Sequence, residues 1–168
     1  MTERSPAPGG LALVEALVNT LDIESGADAL DRPEIRERLG ITADDTDSAR
    51  TLRESLRATL LAHAGHPPHR AVTPLGELLA EAPLLVTVDA ADGSAALAPA
   101  RDHCLHARVA AAVAEALVAG TWTRLKACEA ADCHWAYYDR SPAGRGRWCS
   151  MQVCGARAKM RRYRAKEV

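Results

Sequence analysis

Four cysteines near the C-terminus have the residue type and spacing of a metal site. They are Cys128, Cys133, Cys149 and Cys154, in the pattern C-x4-C-x15-C-x4-C. Two close pairs suit a tetrahedral thiolate site, because each pair supplies two ligands from one turn. Zinc accepts four thiolates in its structural sites, and four ligands leave no open coordination position. The pattern therefore predicts one structural Zn²⁺ that folds this segment and catalyses nothing.

Short elements must position these ligands. Alternating residues between the two pairs predict a hairpin with a basic tip around Gly144, and the segment after Cys154 predicts a basic helix. At 100° per residue this helix has one apolar stripe, which we expect to dock on the zinc module. Ala158 and Ala165 would then face outward between two rows of cations. The residues of the apolar stripe are Val153, Ala156, Met160 and Tyr163.

The cations around this helix indicate a nucleic-acid partner. A helix with small residues outward and cations on both flanks can enter a major groove and contact both phosphate walls. We therefore predict binding to double-stranded DNA, with Arg157 and Arg161 as candidate base readers; a solvated basic face is the alternative. The predicted contacts are Arg145, Arg147, Arg157, Lys159, Arg161, Arg162, Arg164 and Lys166.

Charge and aromatic content divide the chain near Gly120. Residues 1–120 contain ten Lys/Arg against eighteen Asp/Glu, a net charge of −8, whereas residues 121–168 contain eleven against four, a net charge of +7. All three Trp and all three Tyr follow residue 120. This division predicts two domains with different partners, one at 1–120 and a zinc module at 121–168.

The N-terminal domain is predicted to be mostly helical with one β-hairpin. Apolar periodicity and end signals predict helices over 11–21, from Pro33 to Gly40, and over 47–64, 74–80 and 102–119. Residues 84–88 and 94–98 predict the two strands of the hairpin. The expected fold class is mainly α, of the α+β type, with a small four-cysteine zinc finger made of a hairpin and a basic helix.

The bulk composition is that of a globular protein. The chain is 48% apolar and 26% charged, and no stretch approaches the roughly 20 apolar residues that span a bilayer. The N-terminus does not read as an export signal. We expect a cytoplasmic protein without membrane contact, where reducing conditions favour metal ligands over disulfides.

A few other residues suggest further sites. Asn19, Thr20 and Arg53 are candidates for binding a small-molecule ligand, although the first two could equally make structural hydrogen bonds. A second metal is conceivable at the histidines, which are more often surface residues; they are His63, His66, His69, His103 and His106. Cys104 is expected to be a small core residue. No nucleophile elbow, phosphate loop or carboxylate pair is present, so we do not expect an enzyme.

The C-terminal residues resemble the CGNR zinc-finger family. The family's signature asparagine is Ala156 here, so the ligands remain and any contact of that side chain is lost. The matching run is Arg124-Leu-Lys-Ala-Cys128, Asp132-Cys-His-Trp-Ala-Tyr-Tyr-Asp139, Ser141, Arg147-Trp-Cys-Ser-Met151 and Cys154-Gly-Ala-Arg157, with Lys159 and Tyr163-Arg164.

The N-terminal part is similar to the ABATE domain that is usually paired with this finger. The similar residues are 17–22, Leu52, Arg53 and the hairpin at 84–98. The resemblance implies a bacterial, stress-induced transcription regulator. Its N-terminal domain would sense a small-molecule effector or form a homodimer, and its zinc module would bind DNA. A zinc module for RNA or protein, and a redox-responsive regulator, are alternatives that the residues leave open.

Overall fold

The computed structural model describes residues 5–100 and 104–165, which form six α-helices and two antiparallel two-stranded sheets. This confirms the mainly α prediction. The helices are α1 (Leu11–Val18), α2 (Pro33–Leu39), α3 (Thr46–His63), α4 (Leu75–Ala80), α5 (Leu105–Val118) and α6 (Ala156–Arg164). The strands are β1 (Leu84–Val88), β2 (Ala95–Pro99), β3 (Leu125–Ala127) and β4 (Ala136–Tyr138). Within the described ranges, no helix combines the length and hydropathy needed to cross a membrane.

Helix α1 is shorter than its periodicity predicts. It ends at Val18, because the following residues pair with a later segment and leave the helical path. Leu21 forms an isolated antiparallel bridge with Asp28, and the Thr20 carbonyl accepts a 2.7 Å hydrogen bond from Ala29 N–H. The predicted helix over 102–119 corresponds to α5, with residues 102 and 103 outside the described ranges.

The principal apolar core is built on α1, α3 and α5, and it continues into the second half of the chain. Leu52, Leu56 and Leu60 of α3 are fully buried in it, as the four-residue repeat predicts. The same cluster includes Leu125 and Ala136 from β3 and β4. The division at residue 120 stays a prediction, and the β3–β4 hairpin packs on the N-terminal helices across it.

A smaller cluster surrounds the cysteines beside this core. It contains Cys128, Ala130 and Cys154, with Trp148 packed against them. A cluster of this size buries too little apolar surface to hold a segment of about 30 residues folded by itself. The segment beyond β4 therefore depends on the metal and on its contacts with the helical core.

Candidate metal centre and nucleic-acid surface

The four cysteine sulfurs meet at one point between β3 and α6. All four Sγ atoms lie within 4.8 Å of one another. The Cys133 and Cys149 sulfurs are 3.6 Å apart, and those of Cys149 and Cys154 are 3.7 Å apart. Zinc–sulfur bonds of about 2.3 Å in a tetrahedron place sulfurs about 3.8 Å apart. The donor set and its spacing thus fit one structural zinc ion, as the sequence predicts.

The first ligand pair is held by a hairpin. Cys128 directly follows β3, and its N–H donates to the Trp135 carbonyl at 2.9 Å. The chain then turns back through Cys133, whose N–H donates to Ala130 at 2.9 Å. His134 adopts a φ of 49° at this turn, and its Nδ1 lies 2.9 Å from the Cys128 carbonyl. Both sulfurs of the pair therefore project to the same side.

Cys154 of the second ligand pair lies in a wide helical turn, the π-helix Met151–Gly155, which opens into α6, and Cys149 lies just before this turn. Ser150 caps this turn by accepting a hydrogen bond from Val153 N–H at 3.3 Å. Gly155 leaves room for the Met151 side chain inside this turn, since a Cβ there would lie 3.1 Å from the Met151 sulfur. Cys154 is consequently buried on the inner face of the turn.

The thiols shift one another's pKa values in opposite directions. The Cys133 and Cys149 thiols, as donors to the Cys128 sulfur, hold the pKa of Cys128 at about 2. The same interaction raises the pKa of Cys133 to about 12 and also raises that of Cys149. Four adjacent sulfurs therefore need a cation before all can ionise, and zinc supplies it.

The predicted hairpin around Gly144 is wrong. Strand β4 pairs with β3, the strand that precedes it in the chain, in the antiparallel register Lys126↔Tyr137. The loop of this hairpin therefore contains the first ligand pair. The segment after β4 forms a loop around the Asp139 carboxylate, which accepts hydrogen bonds from Ser141 N–H at 3.0 Å and Gly146 N–H at 2.7 Å. A Cβ at Gly146 would lie 2.9 Å from that carboxylate. The loop is therefore fixed by a polar side chain that strand alternation does not reveal.

Helix α6 docks through the face opposite to the predicted one. Val153, Met160 and Tyr163 remain 50%, 51% and 60% exposed, whereas Ala158 is only 9% exposed. The metal decides this orientation. Cys154 must face the zinc site, and the residue one turn later, Ala158, lies on the same face. The expected docking stripe is thus wrong, and the apolar row points outward.

Carboxylates lie close to both predicted base readers. Arg157 lies 3.1 Å from Glu24 and 3.8 Å from Asp132, and Arg161 lies 3.9 Å from Asp132. Hydrogen bonding to Glu24 raises the pKa of Arg157. Neither acidic partner was predicted from the sequence. Asp132 lies in the first ligand loop, and Glu24 comes from the turn after α1, so no local pattern connects them to α6.

The other predicted DNA contacts are not all equally accessible to a ligand. Arg147 forms a bidentate ion pair with the Glu129 carboxylate. Lys166 lies outside the described ranges. Four further cations are exposed and have no acidic partner within 4.0 Å among the residues that the structure describes; they are Arg145, Lys159, Arg162 and Arg164.

The three candidate ligand-binding residues have partners inside the fold. Asn19 Nδ2 donates to the Ala136 carbonyl at 3.0 Å, and its Oδ1 accepts from Ala136 N–H at 2.7 Å. Thr20 Oγ1 donates to Leu17 O at 2.7 Å and accepts from Arg53 Nη1 at 3.1 Å. Ligand binding by these side chains stays a prediction. Their observed contacts join α1 to β4 and α3.

The Asn19 contact gives a stability prediction. Asn19→Asp replaces the amide donor by a carboxylate facing the Ala136 carbonyl. We expect a loss of about 1–3 kcal/mol in the free energy of unfolding, because a partly buried acceptor loses its donor. Urea unfolding measures this. As a control, Thr42→Ala removes the exposed 2.6 Å hydrogen bond to Asp45 and should cost much less. An unchanged unfolding midpoint for Asn19→Asp would contradict the structural role.

A buried charged network lies behind Arg53. Arg53 contacts Asp28 at 2.7 Å and Glu54 at 2.8 Å. Arg57 is fully buried, donates to both Glu54 oxygens at 2.8 and 2.7 Å, and donates to the Val18 carbonyl at 2.6 Å. From the sequence, Arg53 is a ligand-binding candidate and the rest of this stretch is an apolar helix, so the buried ion pairs were not predicted. Its arginines therefore connect α3 to the end of α1.

The histidines do not form a second metal site among the described residues, where the four cysteines are the group that could hold a metal ion. His63 Nδ1 lies 2.8 Å from the Leu125 carbonyl, and His69 Nε2 lies 3.0 Å from Glu54. His103 lies outside the described ranges. Cys104 is exposed instead of buried, because it precedes the first residue of α5 and does not lie within the helix.

The geometry defines the C-terminal segment as a zinc-binding module. Residues 124–167 match the family model of the CGNR zinc finger, about a quarter of the chain. This match includes the four cysteines and α6 and supports the resemblance at those residues. No curated protein matches the chain.

Proposed function

We propose that this protein is a zinc-dependent transcription regulator that binds double-stranded DNA through α6 and through Arg145, which lies in the loop around Asp139. The observation that carries the proposal is the set of four exposed cations that lack acidic partners among the described residues. Zinc fixes α6 through Cys154 and does not take part in chemistry, because four thiolates fill its coordination. The proposal therefore includes no catalytic activity.

Electrostatics support one orientation of the protein on DNA. The residues up to Gly120 carry a net charge of −8 and those after it carry +7. A polyanion repels the first part and attracts the second, so α6 approaches the duplex while the helical domain stays away from it. In this proposal the helical domain senses a small-molecule effector or forms a homodimer.

Selection from a random duplex pool, with metal analysis of the same preparation, tests the proposed function. We expect enriched duplex sequences and one zinc per chain. Single-stranded DNA and RNA of the same length serve as competitors. Stronger competition by either of them would favour a single-strand or RNA module. Failure to enrich any nucleic acid, with zinc bound, would favour a protein partner.

The Glu24 contact predicts that the acidic domain weakens DNA binding. Glu24→Gln removes the nearer of the two carboxylates beside Arg157. We expect the affinity for duplex DNA to rise up to about fivefold, since an exposed ion pair contributes about 0.2–1 kcal/mol. Fluorescence anisotropy at low salt measures it.

Glu34→Gln is the matched control for this experiment. It removes the same charge from another exposed ion pair, with Arg32. Glu34 lies in α2 and not on the proposed DNA-binding surface. An equal rise for both variants would show that net charge, and not the release of Arg157, determines the affinity.

A further inference from the structure

The outward face of α6 and of the turn before it exposes a row of apolar side chains. Met151, Val153, Met160 and Tyr163 are between 50% and 69% exposed. Val153, Ala156 and Met160 also line a shallow depression on this surface, and three arginines line it with them; these are Arg157, Arg161 and Arg164. Exposed apolar side chains that gather on one surface indicate an interaction site, whereas single ones do not.

Cations border this apolar row on both sides. At 100° per residue, Arg157 and Arg164 lie on one flank of Met160, and Lys159 lies on the other. The complementary ligand has apolar groups between two negative walls. The major groove of duplex DNA has this arrangement, because its walls are phosphates and the thymine methyl is the apolar group on its floor.

We propose that the outward row of α6 contacts thymine methyl groups in the major groove. This inference rests on the proposed DNA binding and adds the chemical group that α6 recognises in the groove. Val153 and Met160 contact the methyl groups, while Lys159 and Arg164 contact the phosphate walls and set the depth of the helix.

Two observations favour this row over the base readers expected from the sequence. Arg157 is held by Glu24, on the side of α6 that faces the first ligand loop, and Arg161 lies near Asp132 on the same side. At the centre of the outward row, Ala156 leaves room for a base edge to approach the helix. The apolar side chains of the row have no such carboxylate contacts to give up, whereas both arginines would have to leave theirs to reach a base.

The test compares two 20-base-pair duplexes, one of alternating dA and dT and one with deoxyuridine in place of every dT. They differ only in the methyl group. The probe protein is the full zinc-loaded chain, and anisotropy gives both affinities. We expect tighter binding to the thymine duplex, by about fourfold for each methyl group buried.

Three variants locate the contact. The combined Val153→Ala and Met160→Ala variant should bind both duplexes with equal affinity, so the preference disappears. Lys159→Ala should weaken binding to both duplexes to the same extent and keep the preference for the thymine duplex. Val118→Ala changes an apolar residue of α5 that is 84% exposed and should alter neither affinity.

The outcomes separate this inference from the proposed function. Equal affinity of the unmodified chain for both duplexes overturns the methyl contact and leaves DNA binding standing. Absence of binding to either duplex at low salt overturns both the methyl contact and the proposed DNA binding. If the combined variant converts a dimer into a monomer in sedimentation, and the thymine preference persists, the row is a contact between two copies and the inference fails.

Discussion

Replacing Cys149 by serine is expected to abolish the metal site, unfold the segment that follows β4 and remove DNA binding. Structural zinc contributes about 10–16 kcal/mol of binding free energy to modules of this size, and that free energy is also their folding free energy. The cluster around Cys128 and Cys154 is too small to replace it. Strands β3 and β4 should stay folded, because Leu125 and Ala136 belong to the main core.

Zinc content by elemental analysis and helicity by circular dichroism measure this effect, and a strong chelator applied to the unmodified chain should reproduce it. Cys104→Ser is the control, since Cys104 is exposed and outside the cluster. It should keep one zinc per chain and full DNA affinity. A Cys149→Ser protein with unchanged zinc content and a folded α6 would show that the cluster is not the metal site.

Arg57→Ala is expected to cost about 3–5 kcal/mol of unfolding free energy, because it leaves the buried Glu54 carboxylate without its closest partner. Arg57 has no exposed surface, and Glu54 is 3% exposed. Arg50→Ala is the matched control on the same helix. Its side chain is 35% exposed where it contacts Asp28, so we expect a loss of about 1 kcal/mol or less.

The same network predicts a dependence of stability on pH. Burial raises the pKa of Glu54, but hydrogen bonds and charges from Arg57 and Arg53 outweigh it and bring the pKa below the ordinary value of 4.5. A lowered carboxyl pKa stabilises the fold above the unfolded-state pKa, and this contribution is lost as the pH falls through the folded-state pKa.

Urea unfolding from neutral pH down to about pH 3 should show this acid loss in the unmodified chain. The loss should be smaller in Arg57→Ala, which lacks the interaction that lowers the pKa. Equal urea midpoints for Arg57→Ala and Arg50→Ala at neutral pH would contradict the structural role of the buried pair.

The metal site could be predicted because its information is local. Two ligands within each short turn, and the chemistry of four thiolates, define zinc without knowledge of the fold. Most helix bounds were also predictable, because apolar periodicity and residues such as Gly40, with its φ of 66°, mark the ends within the chain itself.

Contacts between distant segments were not predictable. The docking face of α6 was predicted from the residues of that helix alone. The observed face is determined by Cys154, which must point to the metal site. The hairpin was placed around Gly144, but β4 finds its partner in β3, before the first ligand pair. The Glu24 contact with Arg157 joins residues 133 positions apart, and single-sequence patterns carry no information at that separation.

The measurement that tests the central claim most directly is the affinity of the zinc-loaded chain for duplex DNA across a salt series. The described surface offers four exposed cations without acidic partners, and four phosphate contacts correspond to a slope of about −3.6 in log affinity against log salt. We predict a slope of about this size, reduced by about one in Lys159→Ala. A slope near zero, or no binding at low salt, would contradict the account.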